Sequence, residues 1–330
     1  MSRAVLLLGL DTIGASIGMA LGSATPAFTR IGYDAHRGAA RAAQRAGAVD
    51  RVDLAPEEAA GSADIVFLAV PLSDVRPYLE LLGPRLKRGA VVIETSPLKQ
   101  VVSRWAKELI PEERYILGAL PTLGPAAFQV DRLEAGEARA DLFQGSLLPL
   151  VVPAGTPEAV VNFGVWFANA LGATPFFVEA AELDSLMACV EGLPALLGAV
   201  LMRVAKEPAS WREMQRLAGR AFALGSSAMT LTPAQTLAST LIHNRESVLL
   251  RLDAVLDVLQ RMRAQVSEGD EASLVKDLSG AAEAYQEWLA SRREGQWARQ
   301  EHGSPDIRPG GLMRTLFGMG QRKHKDRGQR

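Results

Sequence analysis

Cysteine is almost absent from this chain: its 330 residues hold one, Cys189, which excludes an intrachain disulfide and fits a reducing compartment. Histidine is scarce too, with four: His36, His243, His302 and His324. A lone thiol and scattered imidazoles make no cluster at metal-ligand spacing, so no metal is expected. Neither sign of charge is in excess, since 36 Lys and Arg face 37 Asp and Glu for a net charge of −1. Bulk electrostatics therefore gives no reason to expect a nucleic-acid partner. Long apolar runs are missing as well, and no stretch reads as the roughly 18 to 20 apolar residues of a membrane span. The opening run Val5–Leu8 stops at Gly9 and Asp11, too short for the apolar core of a signal peptide. A cytoplasmic protein with no membrane span is the expectation. What is plentiful is apolar residue, 48% of the chain, enough for a sizeable core spread over two domains.

The run Val5–Leu8 has the length of a buried parallel strand, and Ile13, Ile17 and Leu21 after it keep helical spacing. Strand, tight glycine turn and helix form the opening of a dinucleotide-binding βαβ unit. In such a unit the glycines let the backbone approach a pyrophosphate, which sits on the free N–H groups of the helix N-terminus. Gly9 and Gly14 take the first and third glycine positions of G-x-G-x-x-G, with Thr12 and Ile13 just before the third. The second glycine position is Asp11, whose carboxylate falls beside two phosphate charges where even a methyl group is crowded. Thr29–Tyr33 reads as a second strand leading into Asp34. That acid stands about 20 residues past the turn, where a carboxylate binds the adenosine ribose hydroxyls and favours NAD. Arg37, close behind it, suits a 2′-phosphate and leaves NADP open.

Gly38–Gly47 reads as an alanine- and arginine-rich helix, and Asp64–Pro71 as the clearest strand, with the near-continuous apolar character of a strand covered on both faces. Val75–Leu86 follows as a helix and Gly89–Glu94 as a strand. Thr95–Lys99 opens the next helix, with Ser96 as N-cap ahead of Pro97. Tyr115–Pro121 is a strand and turn, and Leu147–Val152 another strand. This alternation implies an α/β, Rossmann-type doubly wound parallel sheet over residues 1–152. Ligands bind at the carboxyl ends of such strands, where Gly9, Pro71, Ser96 and Pro121 are expected to gather.

Pro153–Pro157 reads as a hinge, and only helices are expected beyond it: Glu158–Leu171, Glu182–Ala205, Trp211–Leu224, a long one from Thr232 to Val266, and Leu274–Leu289. Leu249, Leu252, Leu256, Leu259, Met262 and Val266 form one apolar stripe for packing on other helices. Residues 153–296 thus read as an all-helical substrate and dimerisation domain, part of whose surface a second subunit covers. Residues 297–330 carry eight Arg or Lys against three acids, a net of about plus five, with many glycines. They read as a basic, disordered tail.

Placed in order, these pieces resemble the prephenate and arogenate dehydrogenase family of tyrosine biosynthesis. The opening G-L-D-T-I-G-A-S-I is similar to that family's G-L-G-L-I-G-G-S-L, and Ile65–Pro71 to its strand ending in A-V-P. Glu94–Lys99 lines up with D-x-x-S-x-K, and Gly118–Gly124 with G-x-H-P-M-A-G. Asp141–Phe143 and Leu150–Pro153 resemble the approach to the helical domain. There, Ala181–Asp184 and Glu191–Pro194 line up with H-D and S-H-L-P. The resemblance implies a homodimer joined through the helical domain. It also implies an NAD(P)-dependent oxidoreductase that takes a hydride from a cyclohexadienol ring, after which carbon dioxide is lost. In the family a turn histidine, assisted by the serine of D-x-x-S-x-K, receives the hydroxyl proton; a second histidine and an arginine hold the substrate.

This sequence departs from that pattern at each of those groups. The turn histidine falls on Leu120, the S-H-L-P histidine on Gly192 behind Glu191, and the arginine near Ala228, in a stretch, Ala221–Leu231, without Arg or Lys. Removing a general acid or base costs about 100- to 10,000-fold in rate. Ser96 and Lys99 remain as catalytic candidates, and Leu120, Pro121, Thr122, Glu191 and Gly192 line the implied substrate pocket. Gly9, Asp11, Thr12, Ile13, Gly14, Asp34, Val70, Pro71 and Thr95 are the implied cofactor contacts. The expectation is therefore an oxidoreductase with a degenerate site. The alternatives are a non-catalytic paralogue acting as a dimeric binding or regulatory protein, or a dehydrogenase of β-hydroxyacid or pyrroline-carboxylate-reductase type.

Overall fold

A computed structural model describes residues 3–25, 27–129 and 137–295. The basic tail expected at 297–330, with His302 and His324, lies outside the described residues.

Apolar residues alternate between the two faces of the first strand, β1 (Arg3–Leu8), which is why it sits at the centre of the sheet. Val5 and Leu7 enter one core with Phe67, Ile93, Ile17 and Phe163; Leu6 and Leu8 enter another with Val66, Leu68, Val75 and Val101. The remaining strands are β2 (Phe28–Tyr33), β3 (Arg51–Val52), β4 (Ile65–Leu68), β5 (Val91–Glu94), β6 (Tyr115–Ala119), β7 (Leu147–Val151) and β8 (Thr174–Phe177). They form one eight-stranded sheet in the order β3-β2-β1-β4-β5-β6-β7-β8. Order reverses beside β1, the place where open α/β sheets hold ligands. All neighbours are parallel except β6 and β7. Register brings Tyr33, Leu8, Leu68, Glu94 and Gly118 into one row, so the turns that follow each strand open on a common edge.

Helices α1 (Thr12–Gly22), α2 (Arg37–Arg45), α3 (Pro56–Ser62), α4 (Leu72–Leu82), α5 (Gln100–Leu109) and α6 (Glu158–Ala170) cover the sheet. The expected Rossmann-type sheet is present, with two corrections. No strand was expected beyond residue 152, yet β8 pairs in parallel with β7 after the α6 crossover. It is short and carries Pro175, which a sheet tolerates at an edge strand, and its sequence alone has no alternation to announce it. Nor does Ser96 cap a helix: α5 starts only at Gln100, because Thr95–Leu98 is held as a turn by contacts described below.

The helical part comprises α7 (Ala180–Met187), α8 (Leu193–Lys206), α9 (Trp211–Leu217), α10 (Arg220–Ser227), α11 (Ala234–His243), α12 (Arg245–Glu268) and α13 (Glu271–Glu294). The single helices expected over Trp211–Leu224 and Thr232–Val266 are each two, broken at Gly219 and at Asn244. The expectation of no span-like stretch is also corrected. A π-helical turn, Ala188–Gly192, joins α7 to α8 into one helical stretch, Ala180–Lys206, long and apolar enough by length and composition to cross a membrane. Its Leu183 and Met187 pack against Val151 and Val178 of the sheet region, while Val190, Val200 and Val204 are exposed. On α12 the apolar stripe is open too, with Leu249, Leu256, Leu259 and Val266 all exposed.

The glycine turn is closely packed. Gly9 has φ +82° and a Cβ there would lie 2.1 Å from the Ala69 carbonyl oxygen; one on Gly14 would lie 1.9 Å from that of Gly9. Gly14→Ala should therefore cost about 2 to 3 kcal/mol in urea unfolding. Gly38→Ala, in α2 with nothing within 4 Å of the added methyl, should gain about 0.5 to 1 kcal/mol.

Candidate functional site

Lys99 is the most constrained side chain at the carboxyl edge. It is 1% exposed, as is its ion-pair partner Glu94, with Nζ 2.9 Å from Glu94 Oε2. The ammonium also donates to the carbonyls of Glu94 (3.2 Å), Ser96 (2.6 Å) and Ala119 (2.9 Å). Glu94 Oε1 in turn accepts from the Ser96 N–H. These bonds pin the turn after β5 to the end of β6, which is why Thr95–Leu98 does not become helix. Gly118 makes room for the lysine stem, since a Cβ there would meet Lys99 Cδ at 2.8 Å. Burial pushes Glu94 up and Lys99 down from their ordinary pKa values, and the attraction between the two charges opposes both shifts. The lysine's three protons are fully engaged. It serves as a strut and presents no free lone pair. Ser96 is also buried, its hydroxyl donating to the Leu98 carbonyl at 3.2 Å.

The free N-terminus of α5 is satisfied from the helical part. Asp184 on α7 accepts from the backbone N–H of Lys99 (2.6 Å) and of Gln100 (3.1 Å). Asn244, at the break between α11 and α12, donates its side-chain N–H to the Asp184 carbonyl at 2.7 Å. Desolvation raises the Asp184 carboxyl, against the pull of those two N–H groups and the lysine charge. Asp184 was visible in the sequence only as part of a family motif; its role as a cap 84 residues from Gln100 has no local signal.

Leu120, at the position of the family's turn histidine, joins an apolar cluster with Val151, Val178, Leu183 and Met187. Thr122 Oγ1 donates to the Leu147 carbonyl at 2.6 Å. Glu191 and Gly192 lie on the π-helical turn, and Gly192 faces Leu241, 3.3 Å from where a Cβ would stand. His243 ends α11, its ring perpendicular to that of Trp105 on α5 with centroids 5.4 Å apart. Two cations with no signal in the sequence, Arg292 and Arg293, reach the loop after β6; Arg293 on α13 donates to the Phe128 carbonyl at 2.8 Å. Arg292 on α13 donates to the Leu123 carbonyl at 2.9 Å and lies 4.4 Å over the Phe128 ring.

At the β1 end, Thr95 Oγ1 donates to the Leu68 carbonyl at 3.2 Å, and half-buried Val70 and exposed Pro71 lead into α4. Asp34 binds the turn itself, Oδ2 accepting from Leu10 N–H at 2.8 Å and Oδ1 from His36 N–H at 2.7 Å. Asp11 is the N-cap of α1: its Oδ1 accepts from Ile13 N–H (3.1 Å) and Gly14 N–H (3.2 Å). The glycines and Asp34 thus fit a dinucleotide. The first-turn N–H groups, where its pyrophosphate belongs, already hold a carboxylate.

Asp184→Ala would strip the acceptor from two helix donors, one of them buried, and should cost about 2 kcal/mol in urea unfolding, with Asn244→Ala costing about 1.

The fold and motifs have known counterparts. The nucleotide-binding domain of prephenate dehydrogenase matches residues 17–164, and the dimerization domain of prephenate dehydrogenase matches residues 179–280. Prephenate dehydrogenase of Bacillus subtilis is 25% identical over 302 residues, covering 89% of this chain and 78% of its own. Cyclohexadienyl dehydrogenase of Zymomonas mobilis is 21% identical over 282 residues, covering 85% and 94%. Among solved structures, prephenate dehydrogenase of Aquifex aeolicus in complex with hydroxyphenyl propionate and NAD+ aligns with TM-score 0.76 at 16% identity, covering 87% of this chain and 98% of that one. Arogenate dehydrogenase of Synechocystis aligns with TM-score 0.67 at 20% identity, covering 87% and 100%. With both family domains matched in sequence order on the expected architecture, this chain belongs to the prephenate/arogenate dehydrogenase family.

Proposed function

We propose that this chain is an NAD(P)-dependent oxidoreductase of prephenate/arogenate dehydrogenase type whose site has lost efficient proton removal from a cyclohexadienol substrate. The observation that carries the reading is Leu120, packed among Val151, Val178, Leu183 and Met187 where the base belongs. An aliphatic side chain accepts no proton, and Lys99 beside it is fully engaged as a donor. Ser96 is then the one hydroxyl of the family's catalytic set left at this edge, and it acts by hydrogen bonding. Glu191, with no arginine in Ala221–Leu231 to balance it, disfavours a dianionic substrate and suits one with less negative charge. Pro121, Thr122 and Gly192 are the remaining positions that the family motifs assign to the substrate pocket. Asp34 supports NAD, and Arg37 at the start of α2 supports NADP as a second cofactor.

The exposed apolar residues of α8 and α12 support a homodimer through the helical part, in keeping with the dimerization domain matched there. Membership of a biosynthetic enzyme family supports a cytoplasmic location. Asp11 favours a second reading, a non-catalytic dimeric binding or regulatory protein, because it covers the N–H groups a cofactor needs.

The test is oxidation of prephenate and of arogenate by the purified chain with NAD+ and with NADP+, beside the Aquifex aeolicus enzyme. Turnover about 100- to 10,000-fold below that enzyme supports the oxidoreductase reading. Turnover equal to it would overturn the loss of the base. None with any pair, in a chain that remains dimeric, would favour the binding protein.

A further inference from the structure

The contact between Asp11 and the start of α1 has a consequence for which ligands the turn admits. Ile13 N–H and Gly14 N–H are donors that no helical carbonyl satisfies, and one oxygen of Asp11 accepts from both, at 3.1 and 3.2 Å. A carboxylate oxygen on two first-turn N–H groups is the chemical equivalent of a phosphate oxygen there. A second carboxylate, Asp34, binds the neighbouring Leu10 N–H at 2.8 Å, and Gly9–Gly14 contains no Lys or Arg. The backbone has no room to re-form around a guest, since Gly14 is packed on the Gly9 carbonyl and Gly9 on that of Ala69. The Asp11 side chain itself is exposed and is free to swing into water by rotation about χ1.

We propose that Asp11 is a resident competitor for the pyrophosphate seat, so that this pocket discriminates against ligands carrying a pyrophosphate. A dinucleotide binds only with Asp11 displaced from the N–H groups and its charge still close by. A nucleoside, which has a ribose for Asp34 and no phosphate, leaves Asp11 in place. The proposal rests on the reading that the N-terminal domain is a dinucleotide site.

Calorimetric titration of the full chain with NADH, ADP-ribose and adenosine tests both. Asp11→Gly retains a tolerated N-cap residue and should tighten NADH and ADP-ribose alike by at least about tenfold. Adenosine affinity should not change. Asp11→Ser, a neutral cap, should move in the same direction and guards against a folding defect in the glycine variant. Equal NADH affinity in the wild type and both variants would overturn the proposal while leaving the dinucleotide reading intact. A parallel gain for adenosine would also overturn it, as a general change in the loop. Failure of all three ligands to bind wild type and variants would overturn the proposal together with the reading beneath it.

Discussion

A single buried ammonium determines the shape of the carboxyl edge. Taking Lys99 and Glu94 out of water costs several kcal/mol per ion, which only close pairing and full hydrogen bonding can offset. The structure supplies both, through four acceptors on Nζ and the Ser96 N–H on the second Glu94 oxygen. Two of the acceptors are on Glu94 at the end of β5, one is on Ser96 in the turn after it, and one is on Ala119 at the end of β6. The pair therefore fixes the turn after β5, the end of β6 and the start of α5 relative to one another. It also delivers the N–H groups of Lys99 and Gln100 to Asp184, and through Asn244 the constraint extends to the α11–α12 junction. Gly118 exists in this network as the gap the lysine stem fills.

On this frame, Leu120 and Asp11, two positions that the motif comparison singles out, make contacts that stabilise structure. Leu120 adds an apolar contact between the sheet and α7 where a base would leave a polar group in the cleft. Asp11 caps α1 where a glycine would leave its donors for a phosphate. Each change favours the unliganded fold over the liganded one. The helical part keeps large exposed apolar residues on α8 and α12.

Much of the sheet was legible because its strands are covered on both faces and its helices repeat locally: β1, β4, β5 and β6 announce themselves as apolar runs bounded by glycine or proline. What escaped depends on partners distant in sequence. β8 has four residues and a proline, and only its pairing with β7 makes it a strand. The break at Asn244 interrupts no local pattern; it serves a hydrogen bond to Asp184, 60 residues away. Ser96 carries every local mark of an N-cap, yet the cap of α5 comes from Asp184. Of the candidate site, the missing groups were readable by comparison with a motif. The contacts made at this edge were not, because neither the packing of Leu120 nor the saturation of Lys99 leaves a trace in neighbouring residues.

Lys99 acts as a strut of the fold, its buried ammonium paired with Glu94 and donating to three carbonyls. A double-mutant cycle in urea unfolding, using Lys99→Met, Glu94→Leu and the pair together, tests it most directly. Each single substitution leaves a buried charge without its partner and should cost about 3 to 5 kcal/mol, whereas the double variant should recover most of that loss. Lys99→Met as stable as the wild type, with its effect confined to turnover, would show that the lysine is no strut.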